Sequence, residues 1–326
     1  MRHRAMTEAT PGPRRLRPAR WWWDAIALTR PTLLIPLWTM HILGAMHAAD
    51  EPSRVWIPPM RFVVLSLAHT LLMAAAYVVN QVADVDTDGP NAKLFLVADG
   101  LVSRRLVVVE IAALVIASMA LVAIGGVASG AVIGLFAVSA GLGAAYSLPP
   151  PRLKARPVWD IVANALGYGC VAFAVGWVSV GPLTGTVMAR SATYALCVAA
   201  TFMFTTIPDI PGDAAGGART SGVALGAGAT AWVGVFLLAA ALSAAVIQRQ
   251  WLALPAAGLA LPLYVRSARS IRRGDGAVGL TRATQVVILA LSVAAAWMWP
   301  WYVGLLAVVI VWVRWYYRAS FGVRYP

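Results

Sequence analysis

Thirteen acidic residues occur in the chain, and five of them fall in two short stretches. The first reads Asn80-Gln81-Val82-Ala83-Asp84-Val85-Asp86-Thr87-Asp88. On a continuous helix Asn80, Asp84 and Asp88 stand at i, i+4 and i+8 and share a face, with Asp86 turned elsewhere. The second, Asp209-Ile210-Pro211-Gly212-Asp213, repeats the spacing of four, interrupted by Pro211 and Gly212. Carboxylates held close together repel, and more so beside a low-dielectric medium. A cation removes that repulsion. Mg²⁺ takes oxygen ligands and commonly divides them between one or two carboxylates and substrate phosphates. Two facing clusters of this kind would hold a diphosphate through bridging metal and stabilise charge on a departing group. One such stretch reads equally well as a solvated helix end, but two with the same spacing on the same side do not.

The elements that carry these stretches are apolar. Of 326 residues 60% are hydrophobic and 12% charged, where a soluble domain carries about a quarter charged. Apolar runs at about 31–48, 60–81, 105–124, 127–146, 159–180, 188–207, 229–247, 251–266 and 284–316 approach or exceed the roughly 20 residues that cross a bilayer. Pro300 divides the last run, which is either one kinked helix or a hairpin of two. The expected fold is an all-α polytopic membrane bundle of about nine helices, or ten. A basic N-terminal tail (1–23) precedes a membrane domain (24–316) and a short C-terminal tail (317–326). The Asp stretches follow spans two and six, four spans apart, which hints at a duplicated four-helix unit.

A net charge of +13 raises nucleic acid as a partner, but the distribution argues against it. The bases gather in short loops between apolar runs, as the positive-inside rule requires. Arg2, Arg4, Arg14, Arg15, Arg17 and Arg20 precede Trp21-Trp22-Trp23, the pattern of a cytoplasmic tail ending in an interfacial anchor, without the layout of a signal peptide. With the N-terminus inside, the outer loops hold only Arg54, Arg61, Arg190 and Arg249. The basic C-terminal tail fits the inner side, which favours an even number of spans. Cys170 and Cys197 lie in apolar runs and are expected to pack rather than pair. His41, His47 and His69 lack the spacing of a metal site and are expected to pack or to join helices by hydrogen bonds. No Walker loop, zinc signature or nucleophile elbow is present.

These residues resemble the UbiA superfamily of intramembrane prenyltransferases. Asn80, Asp84 and Asp88 match its NxxxDxxxD motif, and Asp209 and Asp213 its DxxxD. Tyr146-Ser147-Leu148-Pro149-Pro150-Pro151-Arg152-Leu153-Lys154 is similar to its YSxPPxRxK loop, and Leu28-Thr29-Arg30-Pro31 to its first helix start. The likeness covers about residues 28 to 300. It implies nine helices around a central cavity with a cytoplasmic loop cap, and Mg²⁺ bound by Asp84, Asp88, Asp209 and Asp213. Asn80 would support one metal site, while Arg30, Lys93, Lys154 and Arg219 would neutralise diphosphate oxygens. Tyr146 and Ser147 would line the reaction chamber. The chain departs from the pattern at Lys93-Leu94, where many members have Arg-Pro, and at Ala214, where a basic residue is common.

Ionisable residues inside spans are functional candidates. Glu110 lies within span three, and Asp160 and Asn164, at i and i+4, open span five. For Asp160 a helix-capping role competes with one in orienting an acceptor or taking a proton. The implied activity is Mg²⁺-dependent transfer of a prenyl group from an isoprenoid diphosphate, through an allylic carbocation, to an aromatic or lipophilic acceptor. A membrane terpene cyclase is the alternative within the same chemistry. Phosphatidyl transfer from CDP-alcohols uses one Asp signature rather than two distant ones, and a transporter would place its acids near the midplane.

Overall fold

The computed structural model describes residues 15–16, 20–49, 57–83, 95–274 and 279–325. Its regular structure is helical throughout. Two segments, α1 (Trp21–Leu28) and α2 (Pro31–Ala48), meet at a 49° bend. Then follow α3 (Met60–Ala83), a single turn α4 (Phe95–Ala98), α5 (Arg104–Ile124) and α6 (Gly130–Ser147). Next come α7 (Trp159–Val178), α8 (Gly185–Thr206) and the short α9 (Ile210–Ala215). The bundle is completed by α10 (Ser221–Ile247), α11 (Leu254–Arg273), α12 (Leu280–Met298) and α13 (Trp301–Phe321). Ser103, Ser129 and Thr220 cap α5, α6 and α10 by accepting from the backbone N–H three residues on. The apolar stretch divided by Pro300 is a hairpin of two helices, α12 and α13.

Eight helices are long and apolar enough to cross a membrane, and nine if the bent α1–α2 pair counts as one span. The run expected at 251–266 lies in α11, which stays outside that count because its C-terminal half carries Arg266, Arg269, Arg272 and Arg273. It nevertheless packs between α10 and α12 as part of the bundle. Both described ends of the chain meet at one end of the bundle. Leu16 N–H donates to Ser320 C=O (2.8 Å), and Asp24, buried, accepts from Arg15 (2.8 Å) and from Tyr316 Oη (2.6 Å). Arg15 also donates to Leu101 C=O at 3.3 Å, which ties the approach to α5 to the same end.

The opposite end is marked by Arg61 bonded to Val178 C=O (3.1 Å) and Arg190 to Gln248 C=O (2.7 Å). Large apolar side chains such as Val108, Ile116, Phe236 and Leu289 are exposed on the flanks, the inverse of a soluble surface and suited to lipid. Trp21 and Trp22 are exposed at one end and Trp251, Trp297 and Trp301 at the other, where amphipathic rings settle at an interface.

Inside, α2 and α7 cross with their backbones in contact. A Cβ on Gly176 would sit 1.9 Å from His41 C=O, and one on Gly44 1.9 Å from Phe173 C=O, so neither position admits a side chain. The histidines join helices as expected: His41 Nε2 to His69 Nδ1 (2.8 Å), His69 Nε2 to Ser139 Oγ (2.8 Å), and His47 Nε2 to Tyr194 Oη (2.7 Å). The cysteines are unpaired. From Ala165 to Ala172, α7 widens into a π-helix, a form that recurs beside functional sites.

Candidate active site

Three loop-bearing helix ends converge where α3, α6 and α8 terminate. Asn80, in the last turn of α3, is the hub: its Oδ1 accepts from Ser147 Oγ at 3.0 Å and from Lys154 Nζ at 3.0 Å. Ser147 ends α6, and Lys154 sits in a 3₁₀ turn (Leu153–Ala155) that follows it. That turn is entered through Arg152 in a left-handed conformation (φ 48°), which a non-glycine residue adopts only at a cost. Opposite, α8 ends in a 3₁₀ turn (Ile207–Asp209) and the chain re-enters helix at α9. Pro211 falls in the first turn of α9, where its missing N–H has no partner to lose, so the interruption seen in the sequence is a helix start. Asp209 and Asp213 thereby both face a polar cavity of about 230 Å³ that Asn80, Tyr146, Arg152 and Lys154 also line. Asp213 accepts from Thr220 Oγ1 at 3.3 Å.

Two apolar cavities lie deeper. One, of about 160 Å³, is bounded by α2, α3, α6 and α7 and shares Asn80 and Tyr146 with the polar cavity. The other, of about 350 Å³, lies among α2, α7, α8 and α12 and shares Phe202 with it. The three spaces adjoin one another through shared lining residues. The wall between the two apolar cavities includes Arg30, Leu33, Asn164 and Tyr168, which border both. Tyr168 Oη is hydrogen-bonded to Tyr77 Oη, and Tyr77 donates to Leu33 C=O at 3.2 Å, so the wall is tied across three helices. Asn164 donates to Tyr146 Oη (3.2 Å) and to Asp160 C=O (2.8 Å).

Of the residues singled out in the sequence, Asn80, Tyr146, Ser147, Lys154, Asp209, Asp213, Asn164 and Arg30 border these connected spaces. Arg30 stands at the α1–α2 bend with φ 52° and lines the apolar cavities, with its Nε buried and without a hydrogen-bond partner. Asp84, Asp88 and Lys93 lie outside the described residues. Two residues border none of these cavities among the described residues. Arg219 is exposed, and its neighbours Ala218 and Thr220 line the polar cavity in its place. Asp160 is fully buried away from the chamber: Oδ2 accepts from Ser221 N–H (2.7 Å), and Oδ1 from Ser221 Oγ (2.5 Å) and Ile161 N–H (2.9 Å). It fastens the start of α7 to the start of α10, in keeping with a helix-capping role. The sequence reading gave no role to Tyr77, Tyr168 or Phe202. Tyr168 follows Asn164 by four residues, a helical signal that was available.

A sequence profile described as the UbiA prenyltransferase family matches residues 37–279. The chain belongs to the UbiA prenyltransferase family. It is an intramembrane prenyltransferase of UbiA type. The lycopene elongase/hydratase of Halobacterium salinarum is 32% identical over 259 residues, 77% of this chain and 87% of the relative. A UbiA homologue from Archaeoglobus fulgidus, solved bound to GPP and Mg²⁺, superposes with TM-score 0.60 at 20% identity, over 84% of this chain and 99% of its own. The apo UbiA homologue from Aeropyrum pernix K1 gives 0.61 at 19% identity, over 82% and 96%. These two likenesses establish the UbiA fold for the helical bundle.

Proposed function

We propose that this UbiA-family enzyme transfers a prenyl group from an isoprenoid diphosphate to a lipophilic acceptor with an electron-rich C=C bond, with Mg²⁺ as cofactor. The observation that carries this reading is the layout of the interior: one polar cavity with two carboxylates adjoins two apolar cavities. A diphosphate fits the first by charge, and a donor tail and an acceptor each find an apolar space beside it. The Halobacterium relative, named for lycopene, supports a polyene as the acceptor class.

Asp209 and Asp213 offer hard oxygen donors of the kind Mg²⁺ shares with phosphates, and the metal would supply neutralisation of the leaving diphosphate. Lys154, held by Asn80, and Arg152 bring positive charge to the same space. The C–O bond of the donor breaks, the electron pair leaves with the diphosphate, and the acceptor double bond forms the new C–C bond. The cation this leaves on the acceptor loses a neighbouring proton to the released diphosphate. The apolar walls around Tyr77, Tyr168 and Phe202 keep water from the allylic cation meanwhile. The arginine-rich end of the bundle, where this site lies, faces the cytoplasm by the positive-inside rule.

Purified protein with Mg²⁺ and labelled diphosphates of five to twenty carbons (about one to four isoprene units) tests this, with lycopene, a phenolic acid or a glycerophosphate lipid as acceptor. A mass gain of whole prenyl units on the polyene is the expected result. Transfer only to the phenolic acid or the glycerophosphate lipid would reassign the acceptor, and a cyclic hydrocarbon from the diphosphate alone would identify a cyclase.

A further inference from the structure

A cavity of about 760 Å³ runs along α11, outside the reaction chamber. Its character changes along its length. Gly258, Leu261 and Val265 form an apolar half, and Arg266, Arg269 and Arg273 a cationic half. The three arginines stand at i, i+3 and i+7, on one face of the helix, and all are exposed. None makes an ion pair or hydrogen bond with a described residue. No Asp or Glu occurs between Asp213 and Asp275, so neither α10 nor α11 supplies a counter-charge.

The dimensions of the groove match half a bilayer. Fifteen helical steps from Gly258 to Arg273 rise about 22 Å, and one leaflet with its headgroups is about 20–22 Å thick. The cationic half lies at the end of the bundle where the other basic loops gather, and the apolar half would lie at hydrocarbon depth if α11 runs along the membrane normal. An elongated molecule with an apolar chain and an anionic head, oriented along the membrane normal, satisfies both halves together.

We propose that the α11 groove is a binding site for a phospholipid with an anionic headgroup. The arginines fork onto the phosphodiester, and an acyl chain lies in the trough left by Gly258. The site is separate from the catalytic cavities and does not depend on which acceptor the enzyme uses.

The test uses the full chain in nanodiscs of phosphatidylcholine with a minority of phosphatidylglycerol, released and weighed by native mass spectrometry. Wild type is expected to retain phosphatidylglycerol in preference to phosphatidylcholine. The triple variant R266Q/R269Q/R273Q should lose that preference by about fivefold per charge removed, whereas R104Q/R105Q, at the same end, should keep it. Gly258→Leu should also reduce retention several-fold with every charge in place. A Cβ at Gly258 meets only Leu242 Cδ1, at 3.9 Å, an ordinary van der Waals contact, so the backbone there admits a side chain. Equal melting temperatures in detergent exclude misfolding as the cause. Undiminished retention in the triple variant overturns the proposal. So does an unaffected Gly258→Leu, which would reduce the effect to diffuse surface charge. Complete displacement by millimolar inorganic phosphate would make the site one for a free anion and overturn it equally.

Discussion

Lys154 Nζ lies 3.0 Å from Asn80 Oδ1, a bond that carries the only lysine among the described residues onto the end of α3. Ser147 occupies the same oxygen, so the acceptor capacity of the Asn80 amide is spent on holding two side chains. Asn80 Oδ1 thus fastens the Lys154 cation to the end of α3.

Asn80→Ala should therefore weaken donor binding. Lys154 would lose its bond to Asn80 Oδ1, and a hydrogen bond to a charged group is worth about 1.5–3 kcal/mol. The expected result is a rise of roughly 10- to 100-fold in KM for the diphosphate, with the acceptor KM unmoved. Steady-state kinetics with each substrate varied in turn checks it, and equal effects on both constants would count against the fastening role.

Removal of either cavity-facing carboxylate should be far more severe. Asp209→Ala or Asp213→Ala takes an oxygen donor from the polar cavity, and losses of transition-state charge stabilisation run to about 10²–10³ in turnover. Chelation of divalent metal should abolish product formation in the wild type, and added Mg²⁺ should restore it. Turnover that survives chelation would remove the metal from the proposed mechanism.

The reading of these positions from sequence reaches as far as local spacing. Asp209 and Asp213 are four apart, and the helix restarted by Pro211 keeps them facing one cavity. It was blind to relations across the fold. Asn80 and Lys154 are 74 residues apart, and nothing in either segment announces their bond. Arg219 sits beside motif two but is exposed, while Arg152 reaches the cavity through a backbone turn with positive φ that its sequence does not advertise. The helical bundle itself was legible because a bilayer demands long apolar runs. The pass through α11 blurred because its arginines extend the helix beyond its apolar part.

Asp160 provides a test that separates packing from chemistry. Its carboxylate satisfies the backbone N–H and hydroxyl of buried Ser221. Asp160→Ala leaves those groups without partners, at about 1–3 kcal/mol for each unsatisfied group. A fall in thermal stability in detergent is expected, with little change in acceptor KM for the folded fraction. A normal melting temperature with a raised acceptor KM would return Asp160 to the chamber.

The wall between the apolar cavities should set which chains fit. Tyr168 borders both cavities, and its ring with that of Tyr77 closes the gap between α3, α7 and the Leu33 carbonyl of α2. Tyr168→Phe removes one hydroxyl, and with it the bond to Tyr77, but keeps the ring, so chain-length preference should persist with modestly lower stability. Tyr168→Ala removes the ring and joins the two spaces. Longer donor diphosphates should then compete with short ones, and the ratio of kcat/KM between twenty- and five-carbon donors (about four units against one) should rise at least tenfold. Donor competition assays on the two variants decide it. If Ala and Phe give the same donor profile, the ring is not the partition, and chain selection must lie in the remaining wall residues, Arg30, Leu33 and Asn164.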